Sequence, residues 1–594
     1  MGRTVASLRF QVGRQALIDS RLIARVVPDV SGIDKQFDYA VPPPLGPRVR
    51  PGAVVRVELH GRRVDAWVME TGQEGSPGFD AVAADRLLPV LDVADLGVPA
   101  ELVPLCRWVA TNWSGPLRNV LASATPVRKR ARPANTRHGS FTAPSGVVAD
   151  AVSAAWSEGG AVLRVPPLLS ALDVVVACAA RGPVLVLCPT LRMARLGAAA
   201  LRRRGLSTAE MPEQVDAAFT GVDVVIGARS SVFAPCAGLA SVVVIDEHEE
   251  SFHEERVPTW SAPEVAVERA RQAAVPAFLV SPVPSARAEL MLGAAMGVGD
   301  EGPAWPRVGI VDLGAVPVRG SLLSDELLGI LGAARGPVLC VLNTKGGARL
   351  VACKACRSLQ TCETCSATVE KIDDTFVCRA CSAVRRAVCG DCSRTAFVAV
   401  RSGTTRLAEE LRAAGRLPVV EVTSSTEGIG GTAAVYVGTD ALLHRASTAA
   451  CVVFLDIDRD LSAPRMSSGR EVLSSVARAA RTVGRNGLVL VQTRQPGHPL
   501  ISALSTMDID AWRGTDTATA RSLGLPPFVS VARCTVDGDW SDIDVPSPEG
   551  VEWSSDGGSL VARSASRELL LDFVASARSA AGARVRVEIN PPRV

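Results

Sequence analysis

The chain has 594 residues, 47% hydrophobic and 21% charged, which excludes a disordered polymer and supplies apolar material for about three to five domains. Lys and Arg total 64 against 61 Asp and Glu, a net charge of +3, so whole-chain charge decides nothing about a polyanionic partner. No apolar run approaches the roughly 18 residues that span a bilayer, and the first residues lack a secretory h-region, so a cytoplasmic protein without membrane contact is expected.

After an N-terminal extension over 1–20, short β-rich runs (Leu22 to Val27, Val54 to Leu59, Ala66 to Glu70) alternate with the Pro/Gly punctuation VPPPLGPRVRPG and predict a small barrel or sandwich. A helix is expected near Leu102 to Trp113. Residues 126–147, few in large apolar side chains and rich in Pro, Ser and Arg, read as a basic linker. Residues 1–137 hold 19 Lys and Arg against 13 Asp and Glu, with Arg56, Arg62, Arg63 and the RKRAR run at 128–132 prominent, a local excess suited to phosphate. Apolar strands then alternate with Ala/Arg-rich helices: Val184 to Cys188, Val222 to Ile226, Val242 to Ile245, Ala277 to Val280 and Val338 to Leu342. This rhythm predicts a mainly parallel sheet with helices on both faces. It resumes after an interruption, with helices at Thr405 to Ala414 and Glu471 to Val483 and strands at Pro418 to Val422, Ala434 to Val437, Val452 to Asp456 and Gly487 to Gln492. A last segment from about 506 predicts a small α+β domain.

The interruption holds eight of the 15 cysteines. Four C-x-x-C turns, at Cys353/Cys356, Cys362/Cys365, Cys378/Cys381 and Cys389/Cys392, each present two thiolates to one ion, so four pairs make two tetrahedral zinc sites. Pairing neighbours would close the first site across a short spacer, so a nested arrangement is favoured, with Cys353, Cys356, Cys389 and Cys392 outside and Cys362, Cys365, Cys378 and Cys381 inside. Disulfides suit a reducing cytosol poorly, and the spacing fits neither common ferredoxin run. Both sites would be filled by protein ligands alone, which makes the two Zn²⁺ structural.

Several segments carry a family resemblance. VVIGARSSVFAPCAGLASVVVIDEHEESF (224 to 252) resembles a stretch through a helicase DExH motif, VSPVPS (280 to 285) a motif III, VLNTKGGA (341 to 348) the segment before the zinc insertion, and Gly438-Thr439 a motif V. Ser474 to Arg481 is similar to motif VI, with Arg478 and Arg481 kept. Arg521 to Phe528 resembles R-x-LG-x-PPF, and Phe37-Asp38-Tyr39 the start of a 3′ DNA-end-binding domain. In this order they resemble the primosomal replication-restart (PriA) family. The resemblance implies a multidomain α/β protein: an end-binding domain over 21–125, the linker 126–147, a helicase-like lobe over 148–298, a second lobe over 299–346 and 398–505, a zinc-binding insertion over 347–397 and a C-terminal domain over 506–594. It implies that Phe37, Asp38 and Gly61 line a pocket for a terminal nucleotide, with Asp38 accepting from the 3′-OH. The family's pocket lysine falls near Asp85 and Arg86, and Arg62 and Arg63 join the DNA-binding surface.

The family's phosphate loop is missing. After the strand Ala161 to Arg164 the chain reads VPPLLSALDVV, whose two prolines remove amide donors and which offers neither Lys nor Gly. Asp246 and Glu247 therefore read as relics of a Walker B-type pair, His248 and His253 as solvated loop positions, and bound ATP with Mg²⁺ is not expected. The reading is a replication-restart factor without helicase activity of its own, a monomer acting at the nucleoid. Its implied partners are forked and single-stranded DNA with 3′ ends, single-stranded DNA-binding protein and the replicative helicase or its loader. The rivals are an active 3′ to 5′ helicase with an atypical nucleotide site and a zinc-ribbon scaffold for proteins.

Overall fold

The computed structural model describes residues 22–591 apart from 81–85, 127–137, 300–304, 317, 320–321, 344–349, 357, 359, 364–368, 379–382, 401–403, 415–417, 423–428, 430–433, 464, 466 and 583–584. The N-terminal extension, the RKRAR run, Asp85, Cys365, Cys381 and the whole of TKGGA lie outside these residues. The chain divides into two compact units: residues up to Leu163 with Ala171–Gly297 and Ala520–Pro591, and Arg164–Ser170 with Val298–Thr519.

The first unit begins with a five-stranded antiparallel sheet of β1 (Leu22–Pro28), β2 (Phe37–Ala40), β3 (Val54–Leu59), β4 (Arg62–Gln73) and β5 (Asp92–Asp95), in the order β2-β1-β4-β3-β5, closed into a small barrel where Ala40 of β2 bonds Leu88 and Val90 just before β5. Strand β3 alternates Val55 and Val57 inward with Arg56 and Glu58 outward, the period-two pattern of a sheet with one wet face. Those valines pack with Ala24, Val26, Tyr39, Ala66 and Val68. β4 runs well past the expected Ala66 to Glu70, because its polar first residues continue the ladder with β3 up to the pair Leu59 and Arg62.

The first α/β lobe follows, with β6 (Gly160–Arg164), β7 (Val184–Leu187), β8 (Thr208–Glu210), β9 (Val224–Gly227), β10 (Ser241–Ile245), β11 (Ala277–Ser281) and β12 (Met296–Gly297), in the order β12-β6-β11-β10-β7-β9-β8. β10 runs parallel to β7 and β11, and β9 parallel to β7 and β8. β7, β9 and β10 are buried at every position, as strands of a sheet covered on both faces are.

Helices Val103–Asn112 and Leu117–Ala124 share a hydrophobic core with this lobe and with the C-terminal sheet. Trp113, Trp260, Trp540 and Phe573 all lie fully buried in it, so the C-terminal segment is packed into the first unit. Arg567 pins the junction: it pairs with Glu264 at 3.0 Å, donates to the Asn112 carbonyl and lies over the Trp113 ring. The expected linker is likewise docked at its downstream end. The buried Asp223 carboxylate accepts from the Gly139 and Ser207 amides and contacts His138 at 2.9 Å.

The second unit holds an all-parallel six-stranded sheet built from β13 (Arg307–Asp312), then a small pair β14 (Val318–Arg319) and β15 (Leu323–Ser324), then β16 (Val338–Val341). The Cys-rich insertion contributes β17 (Leu350–Cys353), β18 (Val369–Ile372), β19 (Thr375–Cys378), β20 (Val384–Arg386) and β21 (Phe397–Val400). The lobe resumes with β22 (Val419–Glu421), β23 (Val435–Gly438), β24 (Cys451–Phe454) and β25 (Leu488–Thr493), giving the order β13-β25-β24-β16-β23-β22. Within the insertion β17 pairs with β21, and β18, β19 and β20 form a separate antiparallel sheet. Val351, Val369, Phe376 and Ala387 give it a small core of its own. Back in the first unit, β26 (Ser530–Thr535), β27 (Glu552–Asp556), β28 (Ser559–Ser564) and β29 (Arg586–Ile589) form the C-terminal sheet, β27-β28-β26-β29, beside helix Arg567–Ala581.

Candidate nucleic-acid interface and metal centre

On β2, Phe37 packs against the barrel core while Asp38 faces outward opposite Arg25 of β1. Arg25 holds both carboxylate oxygens, at 2.9 and 3.1 Å, donates to the Gly78 carbonyl and lies over the Phe79 ring at 4.7 Å. These Asp38 hydrogen bonds raise the guanidinium above its ordinary pKa. The fork geometry fixes the carboxylate plane and leaves each oxygen further lone pairs for another donor. Tyr39, one residue on and pointing inward, donates to the Glu58 carbonyl and so ties this strand to the end of β3.

Gly61 sits with His60 in the two-residue β3–β4 turn, both with positive φ, 51° and 78°. That is the left-handed pair a tight hairpin requires, and glycine is its natural second member. Nothing lies within 4 Å of where a Cβ would project, so the turn surface is open. Arg62 and Arg63 follow it, exposed and without an ion pair among the described residues, whereas Arg56 is held by Asp65 at 3.0 Å. Arg86 is exposed. No described hydrogen bond or ion pair joins Asp38 to Gly61.

Where a phosphate loop would follow β6, Val165, Pro166 and Pro167 are buried and Leu169 N–H closes a turn on the Pro166 carbonyl. Arg164, at the end of β6, pairs with Asp510. Asp246 follows β10 directly in the left-handed region, φ 56°, and both it and Glu247 are buried. Glu247 accepts from the Ser285 amide at 2.7 Å and its hydroxyl at 2.8 Å, and Ser285 in turn caps helix Ala286–Leu292. His248 shares a 2.6 Å hydrogen bond with Ser281, whose oxygen also accepts from the Val283 amide. The two histidines correct the solvated-loop expectation: the His248 side chain is 7% exposed, and burial pushes the His253 imidazole below its ordinary value. Chain folding brings SPVPS back beside DEHEE, a contact that no local hydropathy pattern signals.

The second lobe consumes its polar motif residues in the same way. Arg478, on helix Ser468–Val483, pairs with Asp440 at 3.0 Å just after Gly438-Thr439, and the Asp440 amide donates to the Asn343 side chain. Asn343 donates to Asp460 at 3.0 Å, and burial pushes that carboxyl up to about 7. Asp456 holds Arg459 at 2.8 Å. Arg481, one turn beyond Arg478, is half-buried and also has a partner. Sequence alone singles out none of Asp440, Asp456, Asp458 and Asp460 as site residues, although LDIDRD at the end of an apolar strand is a visible alternation of acids.

Of the eight clustered cysteines, Cys353, Cys356, Cys389 and Cys392 come together with all four sulfurs within 4.8 Å of one another. Cys353 lies 3.4 Å from Cys392, and Cys356 lies 3.5 Å from Cys389. A tetrahedron with Zn–S bonds of about 2.3 Å has S–S edges of about 3.8 Å, so the four fit one divalent ion with no ligand missing. Ser358 is hydrogen-bonded to both Cys356 and Cys389 and pushes the two thiols down, that of Cys389 to about 6. Cys362 and Cys378 are buried in the insertion's core.

Residues 25–126 match the family model described as the 3'DNA-binding domain (3'BD). The chain is 26% identical to the probable replication restart protein PriA of Mycobacterium leprae over 579 residues, covering 86% of each chain. It is 28% identical to that of Mycobacterium tuberculosis H37Rv over 571 residues, covering 85% of each. Against replication restart protein PriA of Bacillus subtilis it is 28% identical over 352 residues, spanning 53% of this chain and 43% of that one. A solved structure of S. cerevisiae Dbp5 bound to RNA and ADP BeF3 aligns at 10% identity and a TM-score of 0.34 over 63% of this chain and 93% of that one, too loosely to carry an argument. Among the described residues no helix is long and apolar enough to cross a membrane.

A match to a 3′ DNA-binding domain, two α/β lobes and a cysteine-rich insertion in the second define a multidomain DNA-binding protein. Over most of its length the chain is similar to replication restart protein PriA, and its sequence holds no Gly-Lys phosphate loop.

Proposed function

We propose that this protein recognises forked DNA through a leading-strand 3′ end and promotes reloading of the replicative helicase, with no ATP-driven unwinding of its own. The observation that carries the reading is the contrast between a DNA-binding domain that matches its family and a buried Val165-Pro166-Pro167 where phosphates would be cradled. A phosphate site needs backbone amides and a cation aimed at one place, and prolines supply neither. Asp38 accepts the free 3′-OH on a lone pair that Arg25 leaves open, and its charge disfavours a 3′-phosphate. Phe37 and Gly61 line the approach, and Arg62, Arg63 and Arg86 supply sequence-independent attraction to the backbone. The four gathered cysteines hold one zinc, and Cys362, Cys365, Cys378 and Cys381 a second, which together keep the insertion folded. The chain acts in the cytoplasm at the nucleoid as a monomer, alongside single-stranded DNA-binding protein and the helicase or its loader.

The test is DNA-stimulated ATP hydrolysis by metal-replete protein, run beside binding to forks ending in 3′-OH or 3′-phosphate. No turnover with preferential 3′-OH binding is expected. Turnover that Asp246→Asn abolishes would establish the active-helicase alternative, and equal binding to both ends would remove the end-reading pocket.

A further inference from the structure

Ser358 and Gln360 lie between the first two cysteine pairs and belong to no recognised motif. Gln360 is 3% exposed, and its backbone amide is fixed to the Val351 carbonyl at 2.8 Å. The Ser358 carbonyl accepts from the Cys353 amide at 3.0 Å, so the backbone that carries both residues is tied into the first knuckle. The Gln360 Nε2 lies 3.4 Å from the Cys389 sulfur and 3.1 Å from the Ser358 hydroxyl. The Ser358 hydroxyl lies 3.1 Å from the Cys356 sulfur and 3.3 Å from that of Cys389. Arg385, a donor only, reaches the Gln360 Oε1, which sets the amide with its NH₂ toward the sulfurs. It also donates to the Thr361 and Val388 carbonyls and lies over the Phe376 ring, so its own position is set by the insertion's core.

We propose that Ser358 and Gln360 are positioning residues for the metal held by Cys353, Cys356, Cys389 and Cys392, acting as a hydrogen-bond relay onto two of its four thiolates. The inference rests on the reading of those cysteines as a metal centre. The Gln360 NH₂ has the Cys389 sulfur and the Ser358 hydroxyl and carbonyl oxygens as acceptors, the carbonyl at 3.3 Å, and the single Ser358 hydroxyl proton has the Cys356 and Cys389 sulfurs. A divalent ion with four thiolates carries two net negative charges, and donors to sulfur disperse that charge. Cys356 comes from one knuckle and Cys389 from the other, so the relay also stitches the two knuckles together.

The experiment loads the full chain with ¹¹³Cd²⁺, follows its NMR resonances and competes the metal with EDTA. Ser358→Ala and Gln360→Leu are expected to move the resonance of one site while leaving any other in place, and to weaken retention by about 10- to 100-fold, the usual cost of losing such a partner. Ser358→Thr, which restores the hydroxyl, is expected to restore both readouts; a packing role would not follow the hydroxyl in this way. Unmoved resonances and unchanged retention in both variants, with metal bound, would overturn the relay. Wild-type protein that takes up no cadmium would overturn the metal centre and the relay with it.

Discussion

The N-terminal barrel and the two α/β lobes treat their motif residues in opposite ways. In the lobes Glu247 is taken by Ser285, His248 by Ser281 and Arg478 by Asp440, all within their own lobe. In the barrel Arg62 and Arg63 stand exposed beside an open turn, while Asp38 is oriented by Arg25 and Arg56 is paired with Asp65. A polar group satisfied internally holds structure together, and a charge left facing water retains its capacity for a ligand. On the function proposed above, the lobes serve as scaffold and the barrel as the binding surface.

The strongest way to break this contrast is to remove a metal ligand, because structural zinc contributes on the order of 10 kcal/mol in isolated fingers. Cys353→Ser and Cys378→Ser are each expected to lower the zinc content by one and to erase hydrogen-exchange protection in the insertion, while the barrel keeps its protection and its fork affinity. Zinc analysis beside exchange mass spectrometry checks this, and loss of fork binding in step with the metal would make the insertion part of the DNA surface.

The second-lobe network predicts a pH effect next in size. The Asp460 carboxyl, raised by burial to about 7, binds its proton more tightly in the folded chain than in the unfolded one. Between about pH 4 and 7 the folded state thus carries the extra proton, so stability falls as pH rises through that window and levels off above it, by at most about 4 kcal/mol at 1.36 kcal/mol per pKa unit. Asp460→Asn should flatten the profile and stabilise the protein at pH 8 more than at pH 5. Denaturant melts at the two pH values decide it; parallel profiles for both proteins would place the carboxyl outside the linkage.

Asp38 sharpens the barrel side. A charge-assisted hydrogen bond contributes roughly 1.5 to 3 kcal/mol, or about 10- to 150-fold in affinity. Asp38→Ala should lose a 3′-OH preference of that order, and Asp38→Asn, which retains an acceptor without the charge, should chiefly admit 3′-phosphate ends. Fluorescence anisotropy with paired forks measures both, and an intact preference in both variants would move end recognition elsewhere. The smallest effect is the most uniform: replacing Arg62 and Arg63 by Gln should weaken all DNA alike and reduce the salt slope by about one per residue. A slope unchanged by the double replacement would remove these arginines from the interface.

Much of the fold is legible in sequence because it rests on local periodicity. The apolar runs at Val54 to Leu59, Val242 to Ile245 and Val338 to Leu342 appear as strands within a residue or so of expectation. Cysteine spacing anticipates which four sulfurs would meet, since C-x-x-C is a local turn. What stayed hidden depends on long-range closure. Arg25 meets Asp38 across a strand pair, His248 is buried only because Ser281 returns beside it, and the C-terminal segment joins the first unit's core through Trp113 and Arg567. The polar start of β4 was missed for a related reason: only its ladder with β3 makes it a strand.

The pairing of β17 with β21 has a consequence for how the second lobe assembles. β16 is followed by roughly 100 residues of chain before it meets β23 in parallel register, and closing so long a loop is entropically slow. Holding Leu350 opposite Val400 takes the insertion out of that loop and leaves only its two flanks to be closed. Each halving of a loop recovers about 0.6 kcal/mol of closure entropy. An insertion that closes first is thus a shortcut through chain connectivity, and the sheet order that follows it is reached sooner than the sequence separation alone would allow.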